Sequence, residues 1–117
     1  MASLTTHILD TANGAPAANV TIQIVKISGE KQVTLRTLKT NLEGRTDSPV
    51  LTGDQFIPGV YEMVFHIGDY FRGRATNPDP SIFFDSIPVR FTIASEDHHY
   101  HIPLLVTPWS YSTYRGS

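Results

Sequence analysis

The residues of this sequence with the most chemistry to offer are His7, His99 and His101, Arg45, and the closing run Tyr114-Arg115-Gly116-Ser117. His99 and His101 flank Tyr100, and residues two apart on a strand project from the same face. That His-x-His spacing lets both imidazoles reach one metal ion, so with His7 beside them a three-histidine zinc site is one reading. In the other, His99 is a surface residue and His101 is an acid or base, a role suited to a side chain with an ordinary pKa of about 6.5. His98 is given no role. His7 lies on a strand face with Thr5 and Leu9, where a lone histidine is more often packed or solvated than catalytic. Arg45 follows Gly44 in a turn, where an arginine is usually a solubilising charge. Read alone, Tyr114 to Ser117 is a terminal strand with an exposed tail, yet the histidines, tyrosines, tryptophan and arginine crowding there suggest a terminus built into a site. No Gly-x-Ser-x-Gly elbow marks a serine nucleophile.

The elements that must hold these residues read as strands. Thr5 to Leu9 places Thr5, His7 and Leu9 on one face and Thr6 and Ile8 on the other. Val20, Ile22 and Ile24 alternate with polar residues, then Val25 and Ile27 continue on the opposite parity, which predicts a bulge or a change of exposure near Val25. Ser28 to Lys31 turns this strand into a second one, Gln32 to Lys39. Asn41 to Gly44 is a turn leading Arg45 into a short polar strand. Val60 to Ile67 and Ile87 to Ile93 alternate cleanly. Between them Gly68 to Arg74 reads as a short helix or a turn, and Ala75 to Pro80 as loop. Tyr100, Ile102, Leu104 and Val106 share one face of a strand that pairs as a hairpin with Tyr111 to Tyr114. Seven or eight short strands spaced about ten residues apart, with almost no helix, predict an all-β antiparallel sandwich.

Composition narrows the function classes. With 117 residues the chain, 1–117, is expected to be one domain. It has no cysteine, which excludes disulfides, thiolate metal sites and a cysteine nucleophile and fits a reducing compartment. Nine basic against eleven acidic residues, net charge -2, supply no extended positive field for phosphate backbones, so no nucleic-acid partner is expected. No apolar run approaches the roughly 20 residues of a membrane span, and the first ten residues lack the basic head and apolar core of a signal peptide. No membrane partner and a cytoplasmic location are expected.

Tyr100-His101-Ile102-Pro103-Leu104-Leu105, followed by Tyr111-Ser112-Thr113-Tyr114-Arg115-Gly116-Ser117, resembles the C-terminal signature of the 5-hydroxyisourate hydrolases, the transthyretin-related proteins of urate breakdown. Leu4-Thr5-Thr6-His7-Ile8-Leu9-Asp10, with Gly14, Pro16-Ala17 and Val20 behind it, is similar to that family's N-terminal signature. Glu43-Gly44-Arg45 and Gly68-Asp69-Tyr70-Phe71 also fit, so the likeness spans essentially the whole chain. Trp109-Ser110 departs from the common pattern, in which an aromatic and glycine are frequent, and Trp109 is read as an assembly residue.

The resemblance implies a transthyretin-like sandwich of two four-stranded sheets with one short helix between the fifth and sixth strands. It implies a homotetramer, with the first strand and the last two in one sheet whose outer face lines a channel between dimers. It implies catalytic roles for His7, His101 and Ser117 and substrate binding by Arg45, Tyr114, Arg115 and Gly116. No metal and no cofactor are expected. The tail would fold into the channel, with Gly116 permitting close backbone approach and Ser117 offering a hydroxyl and the terminal carboxylate. The implied substrate is 5-hydroxyisourate, whose lactam would be opened by water at the N1–C6 bond. One histidine would activate that water while the other holds or protonates the departing nitrogen. Two alternatives come from other classes: a non-enzymatic carrier of small ligands, which would not need the histidines or the Tyr-Arg-Gly-Ser ending, and a zinc-binding sandwich using His7, His99 and His101.

Overall fold

A computed structural model describes residues 2–74 and 82–117; the loop expected at 75–80 lies outside the described residues. Among the described residues, eight strands and one α-helix follow one another as β1 (Leu4–Asp10), β2 (Ala15–Pro16), β3 (Thr21–Ser28), β4 (Lys31–Lys39), β5 (Gly59–His66), α1 (Ile67–Arg74), β6 (Ser86–Ile93), β7 (Tyr100–Val106) and β8 (Tyr111–Thr113). They form two four-stranded sheets, ordered β2-β1-β7-β8 and β4-β3-β5-β6. The sandwich is antiparallel except at one place. There β1 and β7 pair in parallel, Thr5 opposite His101 and His7 opposite Pro103. Nearly the whole chain separates these two strands, which gives ample length for the crossover that a parallel pair requires.

The period-two pattern explains which faces meet. On β1, Leu4, Thr6, Ile8 and Asp10 are buried while Thr5, His7 and Leu9 are half-buried on the outer face. Ile8 and Leu104 pack from this sheet, and Ile22, Ile24, Met63 and Phe65 from the other, into a core where each is fully buried. The parity change after Ile24 coincides with a register shift against β4: Ile24 pairs with Arg36 and Val25 with Thr34, leaving Leu35 as the extra residue on β4. Val25 and Ile27 thus remain half-buried on the outer face. Gly68 to Arg74 is helical, as one of its two readings had it, and α1 begins one residue earlier at Ile67.

The buried carboxylate of Asp10 closes β1 and joins this sheet to α1. One oxygen accepts from the backbone N–H groups of Ala12 and Asn13, each at 3.0 Å. The other accepts from the Asn13 amide at 2.7 Å and the Tyr70 hydroxyl at 2.8 Å, with the Arg74 Nε 3.7 Å away. Burial acts to raise the Asp10 pKa, but these hydrogen bonds together outweigh it and hold the carboxyl below its usual value. Burial, then the bond to Asp10 and its charge, push the Tyr70 phenol up to about 12. A depressed carboxyl stabilises the fold above its unfolded pKa, and that contribution is lost as pH falls through the folded value. Asp10→Ala strips four donors of their acceptor. It is expected to cost about 2–4 kcal/mol in urea unfolding, and a loss below about 0.5 kcal/mol would contradict this role.

Candidate functional site

The outer face of the first sheet gathers the histidines and the arginine from segments far apart in sequence. β1 carries His7 and β7 carries His101. Arg45 makes a single antiparallel bridge to His7, where a short strand was expected, and Gly116 makes another to His101. Four backbone segments therefore lie side by side, in the order Arg45, His7, His101, Gly116. Because Thr5 is the residue opposite His101, its side chain stands on the same face, and its hydroxyl oxygen lies 2.8 Å from His101 Nδ1. With Nδ1 so engaged, Nε2 is the His101 nitrogen left for a substrate.

Each histidine is held differently. His7 Nε2 lies 2.8 Å from the Glu43 carbonyl oxygen. A carbonyl only accepts, so Nε2 carries the proton that is donated to it, and Nδ1 is the nitrogen left to face a substrate. His101 is held below the ordinary histidine pKa, first by burial, then by the charges of Arg45 and His7. It is therefore neutral at neutral pH, as a proton acceptor must be. Arg45 is exposed, and its fork can donate paired hydrogen bonds to electron-rich oxygens or nitrogens.

The closing residues divide. The Gly116 N–H donates to the His101 carbonyl at 2.7 Å, and a Cβ at Gly116 would stand 2.7 Å from His101 Cδ2. The absent side chain is thus what lets the tail lie against the imidazole. Ser117, beside it, is exposed. The Arg115 side chain turns the other way, its guanidinium carbon 4.3 Å from the ring centre of Tyr100 and one nitrogen donating to the His99 carbonyl at 3.2 Å. Tyr100 points inward where its neighbour His101 points outward, so Arg115 lies on the opposite side of β7 from the histidines. Tyr114 lines the same inner cleft with Arg115, Ile102, Val89 and Phe91.

His99 precedes β7, and its Nδ1 lies 3.2 Å from the Ser3 backbone nitrogen and carbonyl and 3.3 Å from its hydroxyl. Among the described residues no three His, Cys, Asp or Glu side chains are grouped as a metal site would need, so His7, His99 and His101 form no such set. Sequence reasoning missed the Thr5 hydroxyl, although Thr5 shares a face with His7, and the Glu43 carbonyl, a backbone atom that no residue type announces.

Two four-stranded sheets, one of them with the first and penultimate strands paired in parallel, and with paired histidines and an arginine on its outer face, define a transthyretin-type β-sandwich. The chain belongs to the HIUase/Transthyretin family, whose pattern matches residues 4–116. It is 50% identical over 118 residues to a 5-hydroxyisourate hydrolase of Pseudomonas aeruginosa, covering 100% of this chain and 93% of that one. The structure of the Klebsiella pneumoniae 5-hydroxyisourate hydrolase superposes with a TM-score of 0.75 at 36% identity, covering 100% of both chains. An (S)-allantoin synthase structure superposes with a TM-score of 0.91 at 44% identity. It covers 99% of this chain, which spans only 44% of that longer one.

Proposed function

We infer that this protein is an enzyme that hydrolyses 5-hydroxyisourate, opening the N1–C6 bond of its lactam to give 2-oxo-4-hydroxy-4-carboxy-5-ureidoimidazoline in urate breakdown. The observation that carries this reading is the row of Arg45, His7 and His101 in a chain half identical to a named 5-hydroxyisourate hydrolase. Water is too weak a nucleophile at neutral pH to add to a lactam carbonyl without a base. Neutral His101 takes a proton from water at Nε2 as the water oxygen bonds to C6. The carbonyl electrons move onto its oxygen, and the Arg45 guanidinium stabilises that negative charge. Collapse of the tetrahedral centre re-forms the carbonyl and breaks C6–N1, while N1 takes the proton that His101 removed from water and His7 Nδ1 holds that nitrogen by accepting a hydrogen bond from its N–H. The new carboxyl group ionises, and both histidines end as they began.

The tail shapes the pocket through Gly116, with Ser117 at its rim as a hydroxyl for the substrate or the attacking water. Arg115 anchors the tail from the inner side, over the Tyr100 ring and on the His99 carbonyl. Gly116→Ala forces either the tail or the His101 ring to move. It is expected to lower kcat/KM about 10- to 100-fold with an unchanged melting temperature, and full activity would contradict the placement of the tail.

In one chain this site lies on an open sheet face. A homotetramer would close two such faces on each other and exclude water. The exposed Trp109 and Tyr111 of the β7–β8 hairpin are the assembly residues in this reading. The lack of cysteine supports a cytoplasmic location, and among the described residues no helix is long and apolar enough to cross a membrane. A carrier would need neither a fixed proton on His7 nor a His101 kept neutral.

Carbon-13 NMR of 5-hydroxyisourate, generated in place from labelled urate, tests the reading. With the protein present, the C6 lactam signal should become a carboxylate signal within seconds, far ahead of the protein-free control. Equal rates in both samples would overturn it.

A further inference from the structure

The geometry points to Asn41 as a positioning residue that sets two substrate-facing residues from one side chain: His7, through the Glu43 carbonyl that holds it, and Arg45, through its backbone. This rests on the hydrolase reading above and extends it to a residue that touches no substrate. Asn41 Oδ1 accepts from the backbone N–H of Glu43 at 2.9 Å and from that of Arg45 at 3.2 Å. Its amide nitrogen donates to Asp47 Oδ1 at 3.0 Å, and since a carboxylate only accepts, this fixes which end of the amide faces the turn. The Asn41 backbone closes the same loop, its N–H donating to the Arg45 carbonyl at 2.7 Å and its carbonyl accepting from Gly44 at 3.0 Å.

The turn is also fastened to β1. The Ile8 N–H donates to the Gly44 carbonyl at 2.8 Å. Gly44 has φ +76, and a Cβ there would lie 2.4 Å from the Ile8 carbonyl oxygen, so the loop reaches the strand only because that residue is glycine. One end of the turn is thus set by glycine against β1. Asn41 sets the other, where the Glu43 carbonyl meets His7 Nε2. Without its Oδ1 the two N–H groups turn to water, the carbonyl loses its aim, and the His7 proton is free to sit on either nitrogen.

Nitrogen-15 NMR of the imidazoles, with His7 assigned by difference against His7→Gln, reads this directly, and steady-state kinetics reads its consequence. The wild-type protein should show the single Nε2–H tautomer at His7. Asn41→Ala should show a mixture of tautomers and lose about 10- to 100-fold in kcat/KM, with the acid limb set by His101 unmoved. Asn41→Asp combined with Asp47→Asn, which keeps the acceptor and reverses the amide–carboxylate contact, should retain the tautomer and most of the rate, which a merely structural role for the amide would not predict. Should Asn41→Ala not fold, Asn41→Ser, too short to span both N–H groups, is judged by the same two readouts. A single tautomer and a rate within twofold of wild type in the variant lacking the acceptor would overturn the assignment. Wild-type protein that leaves 5-hydroxyisourate at its spontaneous rate would overturn the hydrolase reading instead, while the tautomer measurement would still decide the role of Asn41.

Discussion

His101→Asn is expected to lower kcat/KM on 5-hydroxyisourate by about 10³-fold, within the range usual for loss of a general base. The amide is close to the imidazole in size and can keep a hydrogen bond to the Thr5 hydroxyl, which lies 2.8 Å from His101 Nδ1. It cannot take a proton, so the loss should fall on kcat and leave KM nearly unchanged. The pH profile carries a second signature. Burial first, then Arg45 and His7, depress the His101 pKa. Protonated His101 is inactive, so wild-type kcat/KM should hold as pH falls to 6.5 and decline only below it, through the depressed value. The residual activity of His101→Asn should lack that acid limb. A variant within tenfold of wild type, with the limb intact, would assign the base elsewhere.

Arg45 is expected to show the other large effect, and lysine should not replace it. Arg45→Lys keeps a positive charge but loses the planar fork that binds two acceptors at once. A loss of about 10²- to 10³-fold in kcat/KM follows from removing stabilisation of the developing oxyanion. Arg45→Ala should lose at least as much and should also shift the acid limb upward toward 6.5, because one of the charges depressing His101 is gone. The limb should stop short of 6.5, since burial, the larger cause, remains. Arg45→Lys within threefold of wild type would show that charge alone suffices.

The strands that carry this chemistry were legible because each has one buried face. Period-two alternation marked β1, β6 and β7; it set His101 opposite the apolar face of its strand and His7 on one face with Thr5 and Leu9, and the fold turns both outward. The parallel pairing of β1 with β7 was not legible, because alternation gives a strand its faces and not its neighbours. Nothing local in the sequence announced the burial of Asp10, which depends on Tyr70, 60 positions away. The site divides along the same line. Motif resemblance located His7, Arg45, His101 and Gly116, which the fold brings together. It grouped Arg115 and Tyr114 with them, whereas alternation across the chain end turns Arg115 onto Tyr100 on the inner side. The contacts that tune the histidines come from the Thr5 hydroxyl and the Glu43 carbonyl, and these depend on register and turn geometry more than on residue type.

The most direct measurement follows the ultraviolet decay of 5-hydroxyisourate freshly made from urate by urate oxidase. It compares buffer alone, wild type, wild type with chelator, and His101→Asn shown by circular dichroism to be folded. Rapid decay with wild type, unaffected by chelator and near the spontaneous rate in His101→Asn, is the predicted result. Decay at the spontaneous rate in all four samples would contradict the account and turn attention to ligand binding on the same sheet face.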